Sequence, residues 1–332
     1  MGVQMTNLPK VSIIIPTYNR KHLLSKCLKS ALSQTYRNIE LIVVDDSSTD
    51  GTYEFLKNLK SVYRDREIKI LRNSRRRGLP CSRNVGLAVS RGQLVFFPED
   101  DLILSNDAIE KLVTTYLKYS KAIKLGGVAP RVVLVSRNRG YIKLDYCNYI
   151  VGLMNSLTGE ACYNYDIARS NITLAQLPLA TILIPRSLFN ELGTYYTGYR
   201  INYVREEDDF YLRALKKGYV FIYQPSAIAY HLSGFSGGCT VRNLIFNELA
   251  NLHNNSIYLV RHFKSRAPFM LGALILKRLL KISYLADPKK ASDTITFIEE
   301  LGYKRALLEG IYKHALSRPV EDEVDAGKIQ QR

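Results

Sequence analysis

Residues 11–46 read "VSIIIPTYNRKHLLSKCLKSALSQTYRNIELIVVDD", in which two apolar runs flank one amphipathic stretch. The runs at 11–15 and 40–44 are rich in Val and Ile, as in strands that are buried on both faces. Between them, apolar residues recur at helical spacing from Leu23 to Leu32. The pattern predicts a strand, a helix and a second, parallel strand, which is the repeating unit of an α/β sheet.

The same alternation continues through the first hundred residues. It predicts, in order, helix 52–60, strand 68–71, helix 82–90 and strand 93–97. These elements indicate an α/β fold with a mostly parallel central sheet and helices on both faces. Ligands of such sheets bind beyond the carboxyl ends of the strands. We therefore expect the polar segments 16–19, 45–48 and 99–101, which follow three of the strands, to converge on one crevice.

The pattern changes beyond about residue 105. The remaining predicted elements are helix 106–119, an apolar run at 128–135, strand 178–185, helix 205–219 with an acidic first turn, and two short strands around Pro225. The Tyr-rich stretch 137–173 fits no pattern. We expect residues 241–320 to be helical, basic and amphipathic, and residues 321–332 to be a disordered tail.

The composition favours anionic partners. The 332 residues include 47 Lys and Arg against 30 Asp and Glu, a formal net charge of +17. Such a balance suits nucleotides, phospholipid head groups or nucleic acid. A basic nucleic-acid-binding protein is the weaker alternative, because the cations cluster at 72–91 and 261–290 while the predicted crevice is acidic.

Cysteine usage and hydropathy predict a cytoplasmic protein. The five cysteines are scattered and include no CxxC pair, so we expect reduced thiols and no zinc site. The polar start shows no signal peptide, and no segment reaches the ~20 apolar residues of a membrane span.

Residues 99–101, "EDD", directly follow an apolar run. Adjacent carboxylates repel one another, so a metal ion, a basic side chain or a helix N-terminus should lie near them. Mg²⁺ or Mn²⁺ commonly joins carboxylates to phosphates, and a metal is the interpretation we favour. The plainer alternative is a group of acids that the dipole of the following helix stabilises.

The segment "PTYNR" after the first strand contains no glycine. It is therefore neither the dinucleotide-binding G-x-G-x-x-G nor a P-loop. Without a glycine-rich loop to bind phosphates, a metal ion would have to carry more of the charge neutralisation.

Other polar residues have two interpretations each. Asp46 either contacts a base or ribose or opens a turn. Residues 206–209 hold either a carboxylate base or acids of a helical first turn. His231 is either a ligand or a hydrogen-bonded core residue. Arg83 opens a helix that is expected to point towards the crevice, whereas most of the arginines at 75–77 are expected to be solvated.

Three ordered segments together resemble family 2 glycosyltransferases, which have the GT-A fold. They are residues 11–52, then "LPCSRNVGLAVSRGQLVFFPEDDLIL" (79–104), and then "EEDDFYLRALKKGY" (206–219). The resemblance covers roughly residues 11–235. It implies a GT-A domain at 1–240, with a nucleotide-binding half at about 10–104 and an acceptor half at about 105–240.

The resemblance also implies roles for individual residues. Those on the nucleotide side are Pro16, Tyr18, Asp46, Arg83 and Asp100. Asp101 would be the direct ligand of Mn²⁺ or Mg²⁺, and His231 would complete the metal shell. Counting back from Arg213 places the general base at Glu207, with the adjacent Asp208 as the alternative.

The implied reaction is metal-dependent, inverting transfer from a nucleotide-diphosphate sugar to a hydroxyl of a glycan or lipid-linked acceptor. A nucleotidyltransferase is the rival, but it should have a Gly-rich, Arg-containing loop where this chain has "PTYNR". A binding module that kept only the fold is disfavoured by the intact acids. Residues 261–290 combine "PFMLGALIL" with basic residues. They predict either an interfacial helix on an anionic bilayer, at the cytoplasmic face, or a helix packed on the domain.

Overall fold

The computed structural model describes residues 8–135, 150–162, 164–232, 237–239, 241 and 244–283. Its strands are β1 (Val11–Thr17), β2 (Ile39–Asp45), β3 (Glu67–Arg72), β4 (Leu94–Phe96), β5 (Leu102–Leu104), β6 (Leu125–Leu134), β7 (Thr173–Ala175), β8 (Leu183–Pro185) and β9 (Val220–His231). Its helices are α1 (Lys21–Leu32), α2 (Thr52–Val62), α3 (Leu79–Val89), α4 (Ala108–Tyr119), α5 (Arg186–Leu192), α6 (Glu206–Lys216), α7 (Leu244–Phe263) and α8 (Ala267–Ser283), with a 3₁₀ turn at Lys264–Arg266. The strands form one sheet in the order β3-β2-β1-β4-β8-β6-β9-β5, and β7 pairs with β9.

Strands β1 to β4 form the parallel half of the sheet. β1 lies parallel to both β2 and β4, and β2 lies parallel to β3. Cover on both faces is confirmed here, because the consecutive residues Ile13, Ile14 and Ile15 are all fully buried. Gly86 permits the close approach of α3, since a Cβ atom there would lie 2.4 Å from Ile14 Cγ2.

The other half of the sheet is mixed, which the sequence pattern does not predict. β8 is antiparallel to β4 and β6, β5 and β7 are antiparallel to β9, and β6 is parallel to β9. The prediction of two short strands around Pro225 is wrong, because β9 is continuous. Where β9 pairs with β6, Pro130 lies opposite Gln224, but the next residue, Arg131, lies opposite Ile228. This bulge accommodates a proline, which has no N–H to donate to the ladder.

Some element boundaries also differ from the predictions. The predicted strand 178–185 is reduced to β8, and neither β5 nor α5 is predicted. β5 and β8 have three residues each, too few for a periodic signal in the sequence. β5 forms because it pairs with the end of β9, which lies far away along the chain.

Helices α7 and α8 pack against each other, which confirms the helical character predicted for the start of the C-terminal region. Within the described ranges, none of the helices is long and apolar enough to cross a membrane. The predicted tail at 321–332, and residues 284–320 before it, lie outside the described residues.

Of the cysteines that the structure describes, one differs from expectation. Cys27, Cys81 and Cys239 are free thiols, whereas Cys162 is disulfide-bonded, so the prediction of reduced thiols is wrong for Cys162. Disulfide formation depends on the distance between two Cα atoms in the folded chain, and the search for a CxxC pair does not measure that distance.

A buried ion cluster fastens α8 to the segment 150–162. Glu160 accepts hydrogen bonds from Lys277 Nζ at 2.6 Å and from Arg278 Nη2 at 2.8 Å. Burial alone would raise the pKa of Glu160, but the two cations outweigh burial and hold this pKa at about 2. The carboxylate is therefore ionised and paired in the folded protein at neutral pH.

Replacing Glu160 with Gln is expected to lower the free energy of unfolding by about 3 kcal/mol at pH 7, because two partly buried cations lose their counter-charge. The folded-state pKa lies below the ordinary value of 4.5, so this contribution is present above pH 4.5 and is lost as the pH falls towards 2. Urea denaturation measures the free energy of unfolding of the wild type and of Glu160→Gln. The difference between these two free energies should be constant near neutral pH and should become smaller below about pH 4.5.

The matched control for this prediction is Glu248→Gln, which removes the exposed partner of Arg278. Because Glu248 is half-exposed, its loss should cost less than about 1 kcal/mol. Equal losses of stability in the Glu160 and Glu248 variants would contradict the structural role of the buried cluster.

Candidate active site

Three strand ends meet at one edge of the sheet, as the sequence predicts. The carbonyl of Thr17, the last residue of β1, accepts a hydrogen bond from Asp46 N at 2.9 Å. The Thr17 hydroxyl donates to Asp100 Oδ2 at 2.8 Å. Thr17 thus joins the loop after β2 to the acidic loop after β4, and the predicted convergence of the three segments is confirmed.

The acidic loop lies beside His231 because β5 pairs with β9. Leu102, the first residue of β5, pairs with His231 at the end of β9. His231 Nε2 lies 3.3 Å from Asp101 Oδ2. One possible ligand atom from each of Glu99, Asp101 and His231 lies within 4.8 Å of the other two. Two strands distant in sequence therefore bring two carboxylates and one imidazole together.

This trio has the donor set of a divalent metal site. Carboxylate oxygens suit Mg²⁺ and Mn²⁺, and imidazole suits transition metals. Asp101 is buried, and its Oδ1 accepts no hydrogen bond from the described residues. Because a buried carboxylate oxygen without a partner is costly, this atom is well suited to bind a cation. The sequence analysis predicts Asp101 and His231 as individual ligands, and it includes Glu99 only in the acidic triplet for which a metal is favoured.

The protonation behaviour of the three acids differs. Burial raises the pKa of Glu99, and it raises the pKa of Asp100 to about 6 although the Arg20 guanidinium lies nearby. Burial opposes ionisation of Asp101 too, but the hydrogen bond from His231 and the charges of His231 and Arg20 together outweigh burial and lower the pKa. Asp101 is therefore the acid of this loop that ionises most readily, as a metal ligand must.

Arg20 is a functional candidate that the sequence analysis misses. Its Nη1 donates to Asp100 Oδ1 at 3.0 Å and to Asp101 Oδ2 at 2.9 Å. A basic side chain is one of the three kinds of positive partner expected near the acids, and Arg20 is such a side chain. The available signal was an arginine in "PTYNR", immediately after a strand that leads to the acidic crevice.

Asp46 is held by the protein itself. Its Oδ1 accepts hydrogen bonds from Asn73 Nδ2 at 2.7 Å and Arg77 N at 2.9 Å, and its Oδ2 accepts one from Gly78 N at 2.8 Å. Gly78 has a φ of +91°, and a Cβ atom there would lie 2.3 Å from the Tyr203 ring. The carboxylate uses three of its roughly four acceptor positions in this way, which leaves one for a base or ribose.

The loop after β1 supplies an aromatic side chain to the crevice. Tyr18 is half-buried, and the Arg76 guanidinium lies 4.2 Å from the centroid of its ring. Pro16 is buried within β1, opposite Val44. Of the two residues predicted to line a nucleotide site, Tyr18 is therefore the more accessible.

A buried ion pair links α3 to α6. Arg83 pairs with Glu206, and both side chains are almost completely buried. Arg83 Nε and Glu206 Oε2 have no hydrogen-bond partner among the described residues. Arg83 also lies close enough to Glu99 and Glu207 for both charges to raise its pKa. The acidic turn of α6 is therefore a neighbour of the acidic loop, while a direct contact of Arg83 with a ligand stays a prediction.

Glu207 differs from the other acids in the first turn of α6. Glu206 pairs with Arg83, and Asp208 accepts a hydrogen bond from Arg205 at 2.5 Å. Within the described part of the chain, the Glu207 side chain forms no ion pair and no hydrogen bond with another residue, and it is part-exposed. Burial and the neighbouring Glu206 charge raise its pKa to about 8. Glu207 is therefore the carboxylate of this turn that is available to take a proton.

Asp209 connects α6 to α7. Arg261 Nε donates to Asp209 Oδ1 at 2.9 Å, and His262 Nε2 lies 2.8 Å from the same oxygen. Burial opposes ionisation of Asp209, but the hydrogen bonds from His262 and Arg261 outweigh burial and lower the pKa. The C-terminal helices are therefore part of the framework that positions Glu207.

Comparisons with known proteins show which family this chain resembles. Residues 12–155 match the family model described as "Glycosyl transferase family 2". Over 204 residues the chain is 35% identical to the Escherichia coli UDP-Glc:alpha-D-GlcNAc-diphosphoundecaprenol beta-1,3-glucosyltransferase WfgD, a match that covers 61% of this chain and 67% of WfgD. Over 179 residues it is 41% identical to WfaP, an Escherichia coli protein of the same description, with coverage of 53% and 64%.

A solved structure shows the same fold. The mannosyltransferase PcManGT from Pyrobaculum calidifontis, in complex with GDP-Man and Mn²⁺, matches with a TM-score of 0.55 and 17% identity, over 92% of this chain and 89% of that chain. The predicted GT-A type of α/β sheet is thereby confirmed. The match to three other curated relatives covers only part of them, namely 59%, 16% and 43% of their own lengths.

Replacing Asp46 with Asn is expected to lower the free energy of unfolding by about 1–3 kcal/mol, because an amide nitrogen would face a backbone N–H donor in a buried turn. Urea denaturation measures this loss. Asp50→Asn is the control, since Asp50 accepts similar hydrogen bonds from Thr52 and Lys21 but is exposed to water. Unchanged stability of the Asp46 variant, combined with lost binding of UDP or GDP, would show that Asp46 acts on the ligand rather than on the turn.

Proposed function

This chain belongs to glycosyl transferase family 2, and we propose that it transfers a sugar from a nucleotide-diphosphate sugar to a hydroxyl acceptor. The proposed reaction inverts the anomeric carbon and depends on Mn²⁺ or Mg²⁺. The observation that carries the proposal is the cluster of Glu99, Asp101 and His231 at the strand ends, in which Asp101 Oδ1 has no hydrogen-bond partner among the described residues.

Asp101, His231 and Glu99 would hold the metal ion. When bound, such an ion neutralises charge that develops on the leaving diphosphate, which is worth several kcal/mol in comparable sites. The mannosyltransferase PcManGT, which has the same fold, was solved with GDP-Man and Mn²⁺, and this supports a divalent ion and a nucleotide-sugar donor for this chain.

Glu207 would accept the proton of the acceptor hydroxyl as that oxygen attacks the sugar. A carboxylate with a raised pKa is a stronger base than an ordinary one, which suits base catalysis near neutral pH. Asp208 is the less favoured candidate because its carboxylate already pairs with Arg205.

The remaining predicted residues would serve the nucleotide. Tyr18 offers a half-buried ring beside the crevice, and Asp46 has one acceptor position left for a base or ribose. Asp100 would approach the ribose, with Pro16 behind it in the sheet. Arg83 would act mainly through its pair with Glu206, which fixes the start of the helix that carries the base.

The names of the two Escherichia coli relatives suggest the substrates. Both are named for a UDP-Glc donor and an acceptor in which GlcNAc is linked to diphosphoundecaprenol. We infer a UDP-sugar donor and a lipid-linked acceptor, in the synthesis of a cell-surface glycan. Incubation with a sugar nucleotide and an acceptor separates this function from nucleotidyl transfer. Glycosyl transfer releases a nucleoside diphosphate from the sugar nucleotide, whereas a nucleotidyltransferase releases diphosphate from a nucleoside triphosphate and forms no nucleoside diphosphate.

We expect Asp101→Asn to abolish transfer while the protein stays folded, because the best ionised metal ligand is lost. Binding of UDP or GDP should also lose its dependence on Mn²⁺. Transfer assays with and without EDTA, together with thermal unfolding, test this expectation. Full activity of Asp101→Asn in EDTA would rule out the metal site.

We expect Glu207→Gln to lower kcat by ~10²–10⁴, with donor affinity nearly intact, because the variant loses the base and keeps the nucleotide site. In the wild type, kcat should rise with pH through about 8, since the base acts only after it loses its proton. The pH dependence of kcat in both proteins measures this.

Asp208→Asn is the matched control for the base. A large loss in that variant with a mild effect of Glu207→Gln would move the base by one residue. Mild effects in both variants would place the chemistry elsewhere.

We also propose that α8 lies on the membrane that carries the acceptor, with the protein peripheral at its cytoplasmic face. One face of α8 is apolar and exposed, formed by Pro268, Phe269, Gly272, Ile275, Leu276 and Leu279. Among the described cations of α8, Lys277 and Arg278 pair with Glu160 inside the protein. We therefore infer docking by apolar contact, with the exposed Lys264 at one end to meet anionic head groups.

The purified protein is expected to float with liposomes, and salt should weaken this binding only in part, because apolar burial is not screened. Phe269→Ser with Leu276→Ser should lose most of the binding. Val62→Ser is the control, since Val62 is equally apolar and 73% exposed on α2. Flotation that needs anionic lipid and disappears in high salt would show a purely electrostatic surface, and no flotation would contradict docking.

A further inference from the structure

Arg20 neutralises a carboxylate that the proposed function assigns to a metal ion. Its Nη1 contacts one oxygen of Asp100 and one of Asp101, and its side chain is only 12% exposed. The Asp101 oxygen in this contact, Oδ2, is also the one that lies 3.3 Å from His231 Nε2. A guanidinium and an imidazole thus converge on the same oxygen atom.

Backbone packing holds Arg20 in this position. Gly238 donates its N–H to the Tyr18 carbonyl at 2.8 Å and accepts a hydrogen bond from Arg76 at 3.0 Å. A Cβ atom on Gly238 would lie 2.5 Å from Arg20 Cζ, and the φ of Gly238 is +55°. The chain beyond β9 therefore packs directly on the guanidinium, and glycine leaves the space for this contact.

A guanidinium and a divalent ion compete for this carboxylate. Two cations in contact with the same oxygen repel each other strongly. Arg20 cannot relieve the repulsion by losing its proton, because arginine stays protonated in proteins. It has to move, and the planar fork of donors on a guanidinium matches the oxygens of a phosphate group.

We propose that Arg20 is an exchangeable counter-ion of the metal site. In the free protein it neutralises Asp100 and Asp101, and it passes its hydrogen bonds to the nucleoside diphosphate when metal and nucleotide bind together. Metal binding alone is then weak, and metal and nucleotide bind cooperatively, with Arg20 as the source of the coupling. The inference rests on the proposed metal-dependent transfer at the same site.

The test is isothermal titration calorimetry of the full chain with Mn²⁺ alone, with UDP or GDP alone, and with Mn²⁺ in the presence of the nucleotide that binds. In Arg20→Gln, Mn²⁺ alone should bind about tenfold more tightly, because the competing charge is gone. The nucleotide should bind about tenfold more weakly in the presence of Mn²⁺, because its phosphate partner is lost. The factor by which nucleotide tightens Mn²⁺ binding should fall towards one.

Two further variants control for charge and position. Arg20→Lys keeps the positive charge, so Mn²⁺ alone should bind it as weakly as the wild type. Arg76→Gln removes a neighbouring cation that contacts Gly238 but, among the described residues, forms no ion pair with the acids. Its Mn²⁺ binding should equal that of the wild type.

Unchanged or weaker binding of Mn²⁺ alone to Arg20→Gln would overturn the proposal. If Arg20→Gln does not fold, two other results can overturn the proposal. One is tight binding of Mn²⁺ to the wild type without nucleotide, and the other is tighter binding of Mn²⁺ alone to Arg20→Lys than to the wild type. Failure of the proposed function gives a different result. Asp101→Asn would then bind Mn²⁺ as the wild type does, whatever the Arg20 variants show.

Discussion

Repulsion among three adjacent carboxylates at the end of β4 is the constraint on which the site depends. Glu99, Asp100 and Asp101 lie in a largely buried loop, where like charges cannot coexist without positive partners. Arg20 reaches Asp100 and Asp101 from the first loop, and His231 reaches Asp101 from the end of β9. The two partners come from opposite ends of the domain sequence, so the acidic loop also holds the two halves of the sheet together.

Three of the four acids at the start of α6 form ion pairs that fix the helix, and the fourth does not. Glu206 joins α6 to α3, Asp208 pairs with Arg205, and Asp209 joins α6 to α7. Each of these carboxylates has a charged partner, and Glu207 between them has none within the described part of the chain. Without an ion-pair partner Glu207 keeps a high proton affinity, which suits the role of base that we propose for it, while its neighbours fix the helix. The C-terminal helices contact Asp209 and Glu160, and through Asp209 they help to hold α6 in place.

The parallel half of the sheet and the location of the crevice could be predicted from the sequence, because Val/Ile runs and polar strand ends are local signals. The mixed half could not, since β5 exists only through its pairing with β9 and Pro225 is tolerated only through a bulge. The resemblance to a family indicated Asp101, His231 and Glu207 as candidate site residues. Glu99 as a third donor, the position of Arg20 and the separate partners of residues 206–209 depend on contacts between residues that are distant in sequence, which no local pattern records.

The most direct test of the metal site is X-ray diffraction at the manganese absorption edge, from crystals of the protein with Mn²⁺ and the nucleoside diphosphate that it binds. We expect one strong anomalous peak about 2 Å from a carboxylate oxygen of Asp101, with His231 Nε2 among the ligands and Arg20 moved towards the phosphates. A peak away from Asp101, or no peak although the nucleotide is bound in the crevice, would contradict the proposed metal site.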